Sequence, residues 1–503
     1  MKIFQTSTII AAILCGATAS ADVTAQQVWD NWTDQMDVYG QGFTVESEEM
    51  SGDTLTISGV KIEMSDDDAG ILARLGDIQL TENGDGTVTI TTAASYPMTL
   101  NLTPDYGDPS TINMTVLQDG LEMIVAGEPD AMIYDINVDR YAISVDSLEG
   151  EAGEEVTLED AVIAMIDMSG TYTIKTDNLT RIAYQLAIGA VDIDVSFLET
   201  GGEGLVKFNG DMADVNMFAN MAMPVDMDMD ADVPPFNEGL AFEGGYTFGA
   251  IEYAFDVDAD GEAVSGTAVI DSGDLGFSFD VDGMTYVGSA MGLNVSVLAP
   301  NEIPFPIEAS MAEYGFDFQI PLSQGEDGPR DARMAFNFTD LAISDMLWSI
   351  GDPQGILPRD PVTIALDIDA QVTPFFDFLD PEQMEAAAMS DVPGELNGVQ
   401  VNSLTISGAG ADITGDGAFT FDNSDLQTFG GVPRPEGQMS FAINGVNGLV
   451  DKLVQMGLIP EEEAMMPRMM MGMFTTPIGD DMLTSTIEVN EEGHVLANGQ
   501  RLR

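Results

Sequence analysis

Six apolar residues, Val362, Ile364, Leu366, Ile368, Ala370 and Val372, alternate with Thr363, Ala365, Asp367, Asp369 and Gln371. A period of two sends the first set to one face of a β-strand and the second to the other, as in an antiparallel sheet with one wet side. The same alternation returns in Ile251, Tyr253, Phe255 and Val257, in Met334, Phe336 and Phe338, and in Met439, Phe441 and Ile443. Segments 54–64, 78–91 and 133–148 alternate as well, and Asn83-Gly84-Asp85-Gly86 interrupts the second as a hairpin turn would. The period changes in two places. Between Thr24 and Tyr39, Val28, Trp29, Trp32, Met36 and Tyr39 stand at helical spacing, with Asp22 or Thr24 as N-cap and Gly40 and Gly42 as stops. Helical spacing returns over 340–350, 374–389, 446–458 and 460–474, the last with a break expected at Pro467. These patterns predict a mainly β protein: extended antiparallel sheets with one apolar face, an N-terminal amphipathic helix and several C-terminal helices covering a sheet.

Ahead of this pattern, Met1 to Ala21 reads as a secretory signal: Lys2, an apolar stretch through Ile9 to Leu14, then Ala19-Ser20-Ala21. Cleavage after Ala21 leaves 503 − 21 = 482 residues and removes Cys15, the only cysteine. A lipoprotein cut before Cys15 would need a small residue where Leu14 stands. The mature product is expected in the periplasm, free of thiols and disulfides. No later stretch supplies about 18 consecutive apolar residues, so no membrane-spanning helix is expected. The prolines from Pro300 to Pro306 suggest a division into 22–299, rich in strands, and 300–503, where strands and helical insertions mix. Leu55-Thr56-Ile57-Ser58-Gly59 recurs as Leu404-Thr405-Ile406-Ser407-Gly408, a hint of a duplicated sheet.

Charge then narrows the partners. With 86 acidic against 15 basic side chains the formal charge is -71, and loss of Lys2 would make it -72. Such a surface repels nucleic acid and anionic head groups, attracts cations and should gain stability from salt, which screens self-repulsion. With 45% hydrophobic residues the chain nonetheless has material for real cores.

Candidate chemistry is sparse. Asp256, Asp258 and Asp260, followed by Gly261, open like a calcium loop, in which alternate carboxylates converge on one hard cation. Thr267 stands where a bidentate Glu is needed, and Asp260-Gly261 between two alternating segments reads instead as a hairpin turn. Asp226, Asp228, Asp230 and Asp232 read as one wet strand face. Met465, Met466, Met469, Met470, Met471 and Met473 carry thioethers at helical spacing; copper(I) is one reading, and packing in a core or groove is the other, with no His or Cys nearby. His494, the only histidine, has Glu491 and Glu492 for neighbours and no nucleophile close in sequence. Neither a nucleophile elbow, a phosphate loop nor a dinucleotide fingerprint occurs.

The C-terminal third contains Gly415-Asp416-Gly417-Ala418-Phe419-Thr420-Phe421-Asp422-Asn423, then Gly448-Leu449-Val450-Asp451-Lys452-Leu453-Val454 and Ala497-Asn498-Gly499-Gln500-Arg501. Together with the N-terminal helix and Gly52-Asp53-Thr54-Leu55-Thr56-Ile57-Ser58-Gly59, this text resembles the family of exported Gram-negative proteins called domain of unknown function 2125. The resemblance implies export and transfers no site. The closing strand Met482 to Val489, the turn at Glu492-Gly493 and Asn498-Gly499 are also similar to the endings of AsmA-like envelope proteins, which implies long sheets that handle lipid.

The resulting expectation is a non-enzymatic, cofactor-free envelope protein that binds a lipid or other amphiphile in an apolar groove of a β-sheet. Met465, Met466, Met469, Met470, Met473 and Phe474 are the expected lining. The alternative closes the apolar faces into sandwiches, leaving a structural or partner-binding acidic protein with weak calcium binding, where Asp256, Asp258 and Asp260 are the candidate ligands.

Overall fold

A computed structural model describes residues 22–38, 42–65, 69–103, 110–149, 155–198, 204–225, 234–259, 262–324, 328–390 and 392–502. The signal segment, Cys15, Asp226 to Asp232 and Asp260 lie outside the described residues.

Alternation produces one antiparallel sheet. The short β1 (Gly42–Thr44) and β2 (Ser47–Ser51) pair with β3 (Thr54–Ser65), and β3 with β4 (Ala69–Glu82). Two strands laid end to end, β5 (Val88–Thr91) and β6 (Ser95–Leu102), flank β4; β7 (Ser110–Asp119) pairs with β6, and β8 (Glu122–Glu128) with β5. Four long strands follow: β9 (Ala131–Glu149), β10 (Glu155–Thr176), β11 (Leu179–Leu198) and β12 (Leu205–Pro224). A second end-to-end pair, β13 (Ala241–Phe248) and β14 (Ile251–Ala259), flanks β12; β15 (Glu262–Ile270) pairs with β14, and β16 (Ser272–Asp280) with β13. The order continues through β17 (Gly283–Ala299), β18 (Ile303–Ile320), β19 (Arg330–Ile343), β20 (Val362–Pro374), β21 (Gly394–Gly408), β22 (Ala411–Asp422) and β23 (Arg434–Asn444). It ends with β24 (Thr476–Gly479) and β25 (Met482–Val489), then β26 (Val495–Ala497) and β27 (Gln500–Arg501). β17 and β18 pair on either side of Pro300, so the sheet runs unbroken past the prolines there.

Among the described residues five α-helices decorate it: α1 (Ala25–Val38), α2 (Asp345–Gly351), α3 (Pro381–Ala388), α4 (Val446–Gln455) and α5 (Glu461–Phe474). α5 continues through Pro467 rather than breaking there. Proline forfeits one N–H bond in a helix interior, and the residue is exposed, so water can serve the freed carbonyl. α4 is capped from a distance: the Asp481 carboxylate accepts from the backbone N–H groups of Asn447 (3.2 Å) and Gly448 (2.8 Å).

A crease crosses the sheet from β3 to β19. Along each strand, apolar positions recur every second residue except at one step of three: Ile57 to Val60, Val138 to Tyr141, Met165 to Met168, Ile188 to Val191, Met212 to Val215, Ala290 to Leu293 and Phe338 to Leu341. Register brings these steps side by side, with Val138, Met168, Ile188 and Val215 on one side and Tyr141, Met165, Val191 and Met212 on the other. From β9 to β12 the extra residues stand opposite one another and the register resumes without a shift, so neighbouring strands kink together and the apolar side chains return to the same face. Backbone conformation agrees, because positive φ occurs at Gly59 (64°), Gly76 (78°), Asp167 (51°), Asp214 (52°), Gly292 (66°) and Asp340 (55°). Glycine tolerates that region freely, and Asp is among the few other residues that visit it.

Acidic side chains sit against the crease glycines. The Asp77 carboxylate accepts from the Gly59 N–H at 3.2 Å, and a methyl group at Gly292 or Gly120 would collide with the carboxylate of Asp271 or Asp139. Gly292→Ala should therefore cost about 1–3 kcal/mol in urea denaturation. Gly472→Ala in α5, where open space surrounds the added methyl, should instead stabilise by roughly 0.5–1 kcal/mol.

The buried core occupies the N-terminal end of the apolar face. α1 sinks Val28 and Trp29 onto Leu55, Ile57, Leu80, Ile90 and Val125, together with Met132 and Tyr134. Trp32 stacks on Tyr134 at 6.5 Å, and the Tyr134 hydroxyl donates to Asn31 Oδ1 at 3.1 Å. Burial pushes the Tyr134 phenol above its ordinary pKa. Phe236 closes the rim by meeting Phe279 edge-on at 4.6 Å, beside Leu240, Leu322 and Leu379.

Candidate functional site: an open apolar face

Beyond this core the apolar face continues half-exposed among the described residues. On β16 to β23 the register aligns Phe277 with Tyr286, Tyr286 with Phe318, Phe316 with Phe336 and Phe336 with Leu366. Leu366 then meets Leu404, and farther along Ile413 meets Ile443. Strands rich in β-branched and aromatic residues favour this pleated setting, and cross-strand aromatic pairs reinforce it. The rings form a row: Tyr286 to Phe316 at 4.8 Å, Phe316 to Phe318 at 5.9 Å, Tyr314 to Phe316 at 6.0 Å and Tyr314 to Phe338 at 5.3 Å. Phe277, Tyr286, Met334, Phe338, Ile364 and Ile406 remain between 37% and 47% exposed, although they share the face that α1 seals farther along. At about 4.8 Å between strands, β16 to β23 offer an apolar surface roughly 34 Å across.

The reverse face is polar and acidic, and its main lock is Arg333. This guanidinium, on β19, meets Asp317 at 2.6 Å, Asp369 at 2.8 Å and Asp367 at 3.0 Å. Asn402 on β21 donates to Asp367 (3.0 Å) and Asp369 (2.7 Å), so four strands are tied together. The Asn402 hydrogen bond, aided by Arg333 and opposed by desolvation, holds Asp369 below the usual carboxylate range. A depressed folded pKa means that this contribution is fully present above the unfolded value near 4 and lost as pH falls through the folded one. Arg333→Met should cost about 1–3 kcal/mol, since it leaves three converging carboxylates without a counter-charge. Millimolar calcium should restore part of that loss in thermal melts beyond what matched ionic strength restores.

The residues singled out in the sequence fall elsewhere. Met465, Met466, Met469, Met470 and Met473 lie on one side of α5, between 50% and 65% exposed, while Ala464 is fully buried. Phe474 is half-buried, and its carbonyl accepts from Ser485 Oγ (2.7 Å) and Asn498 Nδ2 (2.9 Å), tying the helix end to β25 and the C-terminal turn. The methionines are thus presented outward on a helix rather than set among the aromatic strand residues. Asp256 and Asp258 stand on the polar face of β14, Asp256 opposite Lys207. Among the described residues no group of three His, Cys, Asp or Glu is placed to hold a metal ion. His494 lies on the C-terminal turn with Nδ1 3.0 Å from Glu492. The described residues include no helix long and apolar enough to cross a membrane.

Neither the crease nor the Arg333 lock was anticipated from the sequence. The first had a signal, the recurring step of three. The second had none, because it depends on strand register. Comparison with family models, curated proteins and solved structures finds no match to this chain.

Proposed function

We propose that this is an exported, non-enzymatic envelope protein that carries an amphiphile on the open apolar face of β16 to β23. The observation that carries the reading is the half-exposed row of aromatic and aliphatic side chains on a sheet whose other end is sealed by α1. A continuous apolar surface of this extent is unfavourable in water and calls for an occupant. Acyl chains suit it, since each CH₂ removed from water contributes about 0.8 kcal/mol. A second copy of the chain suits it less, because two molecules of formal charge -71 repel each other. The groove reading is favoured over closed sandwiches because the described strands form one sheet, and among the described residues no second sheet packs on this face. The resemblance to exported and AsmA-like proteins points the same way, as does the leader-like start of the chain.

Mass spectrometry of an organic extract tests this directly, using protein purified without detergent from the envelope of the cells that make it. An unrelated acidic exported protein serves as the control. Stoichiometric phospholipid, fatty acid or another amphiphile is expected. Its absence from protein with an intact fold would refute the reading and turn attention to protein partners.

A further inference from the structure

We infer that the amphiphile carries no net negative charge on its head group; this rests on the amphiphile reading above and adds the class of ligand. Between Ser272 and Asn444, which brackets β16 to β23, the only Lys, Arg or His residues are Arg330, Arg333, Arg359 and Arg434. Each is already matched with carboxylate. Arg330 binds Asp282 at 2.8 Å, and Arg359 pairs with Asp345 at 2.5 Å. Arg434 faces Asp422 at 3.0 Å and Asp425 at 3.4 Å, while Arg333 is held by Asp317, Asp367 and Asp369 on the polar face.

Placement matters as much as pairing. Arg330 is the one arginine at an apolar-face position of these strands, opposite Val372, and it sits at the strand end. Asp282 engages it through both its carboxylate and its backbone carbonyl. The apolar face therefore supplies no unpaired cation for a phosphate or carboxylate, while the acidic chain around it adds a repulsive field. An anionic head group entering here would lose water without gaining a counter-charge, and that is costly. A neutral or zwitterionic head group keeps the gain from its buried tails and avoids this penalty. Lys452, beside the Ala409–Gly410 turn, has no carboxylate partner among the described residues, and it belongs to α4 rather than to the face.

The test measures extraction of labelled lipids by the full mature chain. Zwitterionic phosphatidylcholine vesicles carry a trace of fluorescent diacylglycerol, phosphatidylcholine or phosphatidylglycerol, with EDTA present to exclude cation bridging. Because the vesicles share one surface charge, only the labelled molecule differs. Diacylglycerol and phosphatidylcholine should be extracted at least ten-fold more than phosphatidylglycerol. Equal or preferential extraction of phosphatidylglycerol would overturn the inference, and loss of that extraction in Lys452→Gln would locate the cation responsible. Extraction of none of the three would instead overturn the amphiphile reading itself. Ile320→Lys places a cation on the face at an exposed position opposite Met284. It should raise phosphatidylglycerol extraction several-fold with unchanged circular dichroism; no rise in a folded variant would also count against the inference.

Discussion

Replacing Trp29 with alanine should lower the unfolding free energy by about 3–5 kcal/mol, the range typical of a large aromatic removed from a packed core. Trp29 is 2% exposed and belongs to the cluster formed by α1 with the first strands and the rim turn at Phe236. Its loss opens a void between α1 and the sheet and removes the ring that meets Trp32 at 6.5 Å. Trp32 in turn stacks on Tyr134, and Tyr134 meets Tyr172 edge-on at 5.4 Å, so the damage should spread along the face. Chemical denaturation followed by circular dichroism checks the value. A loss below about 1 kcal/mol would mean that α1 is not what seals this end. The same substitution should expose more apolar sheet, raising binding of a fluorescent hydrophobic dye.

The contrast between the sealed and open ends also shows what could be read from the chain. α1 was legible because Val28, Trp29 and Trp32 fall on one helical stripe and glycines follow. β20 was legible because its alternation is unbroken over Val362 to Val372. Boundaries failed where one residue switches state. The helix expected from 340 begins only at Asp345, since Asp340 takes a positive φ of 55° and Ser344 occupies the N-cap. The helix expected from 374 begins at Pro381, because Pro374 still pairs with Gly394 and the Asp380 side chain accepts from the Glu382 N–H. Both copies of Leu-Thr-Ile-Ser-Gly are strand text ending in a glycine of positive φ, Gly59 and Gly408. Only the first continues as the same strand beyond the crease; the second runs into the Ala409–Gly410 turn. The candidate site was less legible than the fold. Methionines at helical spacing look the same in a string whether they face a groove or solvent. The aromatic row is assembled from four strands, β16 to β19, whose register no local pattern records.

That difference sets the second large effect. Tyr286→Asp combined with Phe338→Asp should reduce the amphiphile recovered with the protein at least ten-fold while leaving the sheet folded. The two residues are 41% and 37% exposed, so each gives up only part of the burial energy of an aromatic, and the pair should cost about 1–2 kcal/mol. Their charges, however, fall on either side of Phe316 and Tyr314 in the row that acyl chains would cross. A carboxylate there must either stay hydrated, which keeps the tail away, or be buried unpaired, which costs several kcal/mol. Met469→Asp with Met470→Asp supplies the comparison on α5. If only the strand pair empties the protein, the aromatic face holds the ligand and the methionine side of α5 has another role. If both pairs do, α5 lies over the occupied face and its thioethers belong to the lining. Retention of full lipid by a folded Tyr286→Asp, Phe338→Asp protein would place the ligand elsewhere and remove the basis for a groove on β16 to β23.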